Sequence, residues 1–359
     1  MFAELLTIER SKIMRDLLES YEFKPYYWIL RDDKAKHDTA IEILVQDIAR
    51  ILNHGGFAHG YYMGKRVVGL CVVKSDPLAS EVLRAPAYRI AHIIALGKSE
   101  TQLIIKQLLI QETLRTIPNS ICLVARCPYA DLTTINALEK CGFITSNTNL
   151  LFARELNDGD WMVTPEENYE IHIALPDEVD EFDTTILDIP EGTLGWDLKL
   201  PPRFLSKVHK DWLRIYASRN GFPDGKTALQ PTSDSDHALL VAQEHGRPVA
   251  VLAERIRPET TKFLGFSVGS IDLITTAPEY RTNGVSTALI QKSLTSFSQA
   301  GVKIAQLIVN ASEGIKVQQY QQMGFFAVGT WVTMVHCRQP GNQTERVNKM
   351  AELYCRGNA

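Results

Sequence analysis

The chain has 359 residues, 45% of them hydrophobic and 22% charged, with a formal net charge of −4 and a pI near 6.2. That length fits two or three ordinary domains, each long enough to bury its own core. The acidic balance argues against nucleic acid or an anionic membrane as the main partner, and no apolar run reaches the length of a membrane span.

The N-terminus, MFAELLTIERSKIMRD, alternates charged and apolar residues. It reads as an amphipathic first helix and not as a signal peptide. The six cysteines, Cys71, Cys122, Cys127, Cys141, Cys337 and Cys355, form no CxxC pair. Several sit in apolar runs, so they read as buried thiols in a cytoplasmic protein with no metal site.

In chain order, residues 1–60 read mainly as helices. Phe57–Val73 predicts two strands around a tight turn at Met63-Gly64-Lys65. A strand is expected near Tyr88–Ala95, a helix over Thr101–Arg115 and a short buried strand over Ile121–Arg126. The helix Leu132–Cys141 stops at Gly142, a glycine C-cap. Two strands follow, Phe143–Ser146 and Asn149–Arg154. Residues 156–168 are polar, without a period, and read as a linker. Pro176–Gly192 carries seven acidic residues and reads as a solvated face or loop. Leu200–Asn220 is helical after Pro201-Pro202. Strands Ala238–Glu244 and Val249–Arg255 flank a turn at Gly246, and a strand leads to Thr276. A helix after Gly284 follows, then a strand Ile304–Val309, a helix Lys316–Met323 and two strands near Phe325–Val328 and Trp331–Cys337.

The order of the first half thus returns in the second. Gly64 in MGKRVVGL matches Gly246 in HGRPVAVL, and Gly142 in KCGF matches Gly324 in QMGF, each pair 182 residues apart. An equal offset at two distant landmarks indicates a tandem duplication of one α/β domain. The predicted domains are 1–155, a linker 156–168, 169–338, and a tail 339–359. The tail is polar and then amphipathic, which leaves packing on the first domain and self-association as a homodimer both open.

The copies differ at one stretch, Ser270–Phe297. Its turn carries Pro278, Arg281, Gly284 and Ser286 between an extended run and a helical pattern. Glycine lets a backbone approach a ligand closely. A helix N-terminus offers unpaired N–H groups and the positive end of the dipole, a ready cradle for a pyrophosphate. The first half is five residues shorter here and has Gly97-Lys98-Ser99-Glu100 instead. It also has Leu138 four residues before Gly142, where the second half has Tyr320 four before Gly324.

Pro-x-x-Arg-x-x-Gly-x-Ser resembles the acyl-CoA loop of the GCN5-related N-acetyltransferases (GNAT), usually Arg/Gln-x-x-Gly-x-Gly/Ala. Tyr-x-x-x-Gly-Phe at Tyr320, 36 residues after Gly284, resembles the other signature of that family. The resemblance covers residues 237–338 well and 57–154 in degenerate form. It implies two tandem α/β (α+β) folds, each a mixed, mostly antiparallel sheet flanked by helices, with chemistry in the second only.

The resemblance further implies acetyl-CoA as co-substrate and a small amine-bearing acceptor, with neither nucleic acid nor membrane as partner. Arg281, Thr282, Asn283, Gly284, Val285 and Ser286 would hold the pyrophosphate, and the backbone of Ile274, Thr275 and Thr276 the pantetheine. Tyr320 would protonate the departing thiolate, since a phenol with a pKa of about 10 stays protonated at neutral pH. Asp272 and Glu254 are candidate bases, and Asp272 equally reads as a structural acceptor. Glu313 stands where the family has asparagine and Lys316 where it has alanine; Asn310 is the candidate replacement for the lost amide. Asp197–Asn220 resembles the stretch before the core in dTDP-fucosamine and related amino-sugar N-acetyltransferases. That segment brings Arg203, His209 and Trp212 forward as acceptor contacts or packing residues. The rival class is a non-catalytic CoA-binding or regulatory module on the same scaffold.

Overall fold

The computed structural model describes residues 14–30, 37–76, 80, 86–117, 122–157, 169–182, 210, 213–214, 216–217 and 237–337. Two compact units emerge, Met1–Asn149 with Gly329–Ala359, and Leu150–Val328. The first unit is made of two stretches of chain and the second of one.

In the first unit, helices α1 (Arg15–Glu19), α2 (Tyr27–Leu30) and α3 (His37–Asn53) precede the hairpin β1 (Phe57–Met63) and β2 (Arg66–Ser75). Gly64, at φ +62°, makes its turn. Then come β3 (Ala87–Ala95), α4 (Ser99–Thr116), β4 (Cys122–Pro128) and α5 (Leu132–Lys140). Asp131 caps α5 by accepting from Thr134 N, and Gly142, at φ +87°, ends it. β5 spans Ile144–Glu155.

In the second unit, β6 (Glu170–Ile173) and a 3-10 turn at Pro176–Glu181 precede β7 (His237–Glu244) and β8 (Arg247–Arg257). Next are α6 (Pro258–Leu264), β9 (Ser267–Thr276), α7 (Val285–Gln299), β10 (Val302–Asn310), α8 (Gly314–Gln322) and β11 (Phe326–Cys337). β6 and α6 are additions to the elements expected from the sequence. Of Leu200–Asn220, residues 210, 213–214 and 216–217 are helical. The rest lies outside the described residues, as do Arg203, His209, Trp212, 158–168 and 338–359.

The strand order is β1-β2-β3-β4-β11 in the first unit and β5-β10-β9-β8-β7-β6 in the second. β3–β4 and β9–β10 are parallel, while β1–β2, β2–β3, β4–β11, β6–β7, β7–β8 and β8–β9 are antiparallel. Each is therefore a mixed, mostly antiparallel sheet, as expected.

One expectation fails. β5 and β11 are single strands of 12 residues, not pairs of short ones. Ser146-Asn147-Thr148 lacks the glycine that a tight hairpin favours, and Gly329 is not among the positive-φ glycines. Residues 144–149 of β5 and 329–337 of β11 belong to the first unit; 150–155 and 326–328 belong to the second. The second unit's core accordingly holds Phe152 and Leu156, and the first unit's holds Val332 and Met334.

In the second unit α7 lies on β8 and β9 through Val285, Leu289, Ile290, Leu294 and Phe297, all fully buried or nearly so. A Cβ on Gly269 would stand 2.8 Å from the Phe297 ring. Gly269→Ala should lower stability by about 1–3 kcal/mol, read from the thermal midpoint of the full chain.

Candidate functional site

The site begins where two parallel strands part. β9 and β10 pair from Val302↔Ser267 to Leu307↔Ile271. Beyond that point β9 runs on to Thr276 along β8, and β10 runs on to Asn310. The fork leaves backbone groups of β9 without a strand partner on the β10 side. Ile274 packs on the core under α7, while Thr275 and Thr276 are buried.

Past Thr276 the chain turns through Pro278–Tyr280 into the loop. Ala277 N donates to Val249 O (2.9 Å), and Tyr280 OH donates to Glu244 Oε2 (2.7 Å). Arg281 is exposed, and its Nε donates to Thr276 O (3.3 Å), tying loop to strand end. Asn283 O accepts from Tyr169 OH (3.2 Å), and Thr282 Oγ1 donates to Asn283 Oδ1 (3.4 Å).

Gly284 is the N-cap of α7 at φ +79°. A side chain there would pay the left-handed penalty. The first helical bond is Ala288 N to Gly284 O (3.0 Å). The helix ladder therefore provides no acceptor for the N–H groups of Val285, Ser286 and Thr287. Val285 is fully buried and anchors the turn, while Ser286 is half-buried beside it. The fit to a pyrophosphate lies in this opening turn, where no Cβ stands at Gly284.

Tyr320 comes to the same place. Gln319 Nε2 on α8 donates to Thr287 Oγ1 in the first turn of α7 (2.9 Å). Tyr320 joins the apolar cluster of Val285, Leu307 and Val309, with ring centroids 6.3 Å from Phe152 and 6.2 Å from Phe325. Burial first, then the charge of Glu313, pushes its phenol well above the ordinary value. The phenol is thus held in its protonated form.

The two departures from the family pattern pair with each other: Lys316 Nζ donates to Glu313 Oε1 (2.5 Å). Asn310 Oδ1 accepts from Ser312 N and Oγ (both 3.0 Å), so its oxygen holds the β10–α8 turn.

Asp272 sits at a β-bulge. Ala253 pairs with Leu273 and Glu254 with Ile271, leaving Asp272 as the extra residue. Its carboxylate accepts from Tyr216 OH (2.6 Å) and Ser270 Oγ (2.7 Å). Arg255 Nε lies 2.6 Å from Oδ2, an ion pair off the N–H axis. Burial and the charge of Asp272 raise the Tyr216 phenol. None of these three partners was singled out from sequence. Tyr216 comes from a remote helix, and its spacing carries no signal. The bulge could not be seen either.

Glu254 is fully buried on the α7 side of β8. Neither oxygen has a hydrogen-bond partner; the equally buried Ser293 hydroxyl is nearby, outside strict hydrogen-bond geometry. Burial pushes the carboxyl up to about 8, with Ser293 opposing weakly. It is shut off from any substrate, which removes it as a base. The native state binds this proton more tightly than the unfolded chain. The contribution of this group to stability is therefore full below about pH 4.5 and is lost as pH rises through about 8. Glu254→Gln should flatten the decline of the thermal midpoint between about pH 6 and 9; an unchanged decline would contradict this protonation.

The first unit keeps the fork and loses the rest. β3 and β4 pair from Ala87↔Cys122 to Ile90↔Ala125, then part. Gly97-Lys98 leads directly into α4, and Leu138 is fully buried where the second unit has Tyr320. Among the described residues no group of three or more His, Cys, Asp or Glu could hold a metal ion. No described helix is long and apolar enough to cross a membrane.

Residues 225–338 match the model of the acetyltransferase (GNAT) domain family. No curated protein matches the chain significantly. Among solved structures, a GCN5-related N-acetyltransferase from Sphaerobacter thermophilus is similar at TM-score 0.63 and 12% identity, over 96% of this chain and 97% of that one. A glucosamine N-acetyltransferase region of a fungal multi-domain GH3 β-N-acetylglucosaminidase is similar at TM-score 0.58 and 12% identity, over 93% of this chain and 38% of that one. The likenesses at this identity concern the fold, and the family match is confined to residues 225–338, about a third of the chain.

Proposed function

We propose that the second unit moves an acetyl group from acetyl-CoA to the primary amine of a small molecule by direct attack. The carrying observation is that the Gly284 turn, the β9–β10 fork and Tyr320 converge on one end of α7, joined by the Thr287–Gln319 bond. GNAT domains use acetyl-CoA as co-substrate, and the thioester supplies an activated acetyl group. Arg281 to Ser286 receive the pyrophosphate. The backbone of Ile274, Thr275 and Thr276 lines the pantetheine, with Asn310 at the facing strand end. Holding both reactants in the fork removes the entropy cost of their encounter. Asp272 takes the proton from the acceptor ammonium, oriented by Tyr216, Ser270 and Arg255. Tyr320 returns a proton to the thiolate. The first unit acts as a scaffold without this reaction.

The acceptor class to assay first is amino sugars, glucosamine included, beside simple diamines and amino acids. The measurement is release of free CoA thiol on adding each amine to the full chain with acetyl-CoA. Acceptor-dependent release supports the transferase. Binding of CoA without release for any amine would make the domain a non-catalytic CoA-binding module.

A further inference from the structure

Two cysteines far apart in sequence meet in register. β4 and β11 pair antiparallel within the first unit, from Trp331↔Pro128 to Cys337↔Cys122. Cys122 opens β4 and Cys337 closes β11, so the pair stands at the end of the ladder. Cys122 is a buried thiol, 2% exposed. The acetyl transfer uses neither residue.

The hydrogen bonds of the ladder decide what kind of pair this is. Antiparallel partners alternate between pairs that exchange hydrogen bonds and closer pairs that do not. Tyr129 N donates to Thr330 O (2.9 Å), which makes that pair, one step beyond Trp331↔Pro128, a hydrogen-bonded one. By alternation Val332↔Cys127, Met334↔Ala125 and His336↔Leu123 belong to the same set, and Thr333↔Arg126, Val335↔Val124 and Cys337↔Cys122 to the other. Pro128 agrees, since it has no N–H to give and falls in the other set with Trp331. Partners of that second kind have Cα atoms about 4.5 Å apart, with both side chains on one face of the sheet. A disulfide takes a Cα separation of about 4.4–6.8 Å. The register meets that requirement at its short end, which favours a bond that is readily reduced.

The pairing is also selective. Leu123, Ala125 and Cys127 face the core under α4, so alternation puts Cys122 on the other face with Val124. Cys127 is opposite Val332, and Cys71 is opposite His59 and Ile93. Among the described residues, Cys122 and Cys337 are the one pair of cysteines that are register partners.

We propose that Cys122 and Cys337 form a reversible disulfide that pins the end of β11 to the start of β4. The oxidant is a small-molecule disulfide of the glutathione class. One protein thiolate attacks it, a mixed disulfide forms, and one small thiol leaves with the proton. The other protein thiolate attacks the protein sulfur of the mixed disulfide. The Cys122–Cys337 bond forms and the second small thiol leaves. Two cysteine thiols are thereby oxidised, and one small disulfide is reduced to two thiols. Excess small thiol reverses both steps. At the end of the ladder, local opening gives the oxidant access without unfolding the sheet.

The test is a peptide map of the full chain after exposure to oxidised glutathione under native conditions, with the remaining thiols alkylated. Cleavage after lysine and arginine puts each of the six cysteines on its own peptide, Cys122 on residues 116–126 and Cys337 on residues 317–338. The expected result is these two peptides joined, and separated again by dithiothreitol. Cys122→Ala and Cys337→Ala should each abolish the joined species, and Cys355→Ala should leave it. No joined species in the wild type, glutathione on either cysteine in its place, or either cysteine joined mainly to another such as Cys355 would overturn the proposal.

Discussion

Gly284→Glu weakens CoA binding by at least about a hundred-fold while the protein still folds. Gly284 holds φ +79° at the N-cap of α7, so any side chain there costs roughly 1–2 kcal/mol in backbone strain. The larger effect is electrostatic. A carboxylate at a helix N-terminus is itself the favoured anion. It would cap the N–H groups of Val285, Ser286 and Thr287 and occupy the ground intended for the pyrophosphate. Loss of a hundred-fold in affinity corresponds to about 2.8 kcal/mol, within reach of lost charge-assisted hydrogen bonds and added repulsion. Gly284→Ala, with the strain and without the charge, should retain most of the affinity. Titration calorimetry with CoA separates the two variants. Equal affinity for wild type and Gly284→Glu would remove the loop from the site.

Tyr320→Phe lowers turnover by about ten- to a hundred-fold with the KM for acetyl-CoA nearly unchanged. The ring sits between Phe152 and Phe325, so phenylalanine fills the same space and the fold is kept. Only the proton is lost. Burial keeps the phenol protonated throughout the usual assay range, so its own ionisation should leave no limb in the pH–rate profile. Steady-state kinetics with any active amine checks both points. Unchanged turnover would reduce Tyr320 to packing.

Much of the fold could be seen in the sequence because the chain states it twice. Gly64 and Gly246, at φ +62° and +76°, make matching hairpin turns, and Gly142 and Gly324, at +87° and +80°, end matching helices. Glycine at positive φ is a local requirement, so it shows in the sequence. The course of β5 and β11 is not local. Nothing in Asn149 or Gly329 tells which sheet the next residue joins, because pairing partners lie far along the chain. Leu156, read as the start of a linker, instead donates N–H to Lys303 O (2.9 Å).

The site divides in the same way. Arg281, Gly284 and Tyr320 stand in fixed short patterns, and the structure gathers the Gly284 turn and Tyr320 at one end of α7. Asp272 was ambiguous between base and structural acceptor because its surroundings come from three other places, Tyr216, Arg255 and Ser270. Glu254 next to it in the ladder looked equivalent and is not. Asp272 shares the face of β9 that carries Ser270, toward Tyr216 and Arg255, while Glu254 is sealed on the α7 face of β8.

The central claim is that one unit of this duplicated chain holds acetyl-CoA and the other does not. Titration calorimetry of acetyl-CoA into the full chain tests it most directly. The predicted result is one site per chain, lost in Gly284→Glu. Two sites per chain, or a site that survives that substitution, would contradict it.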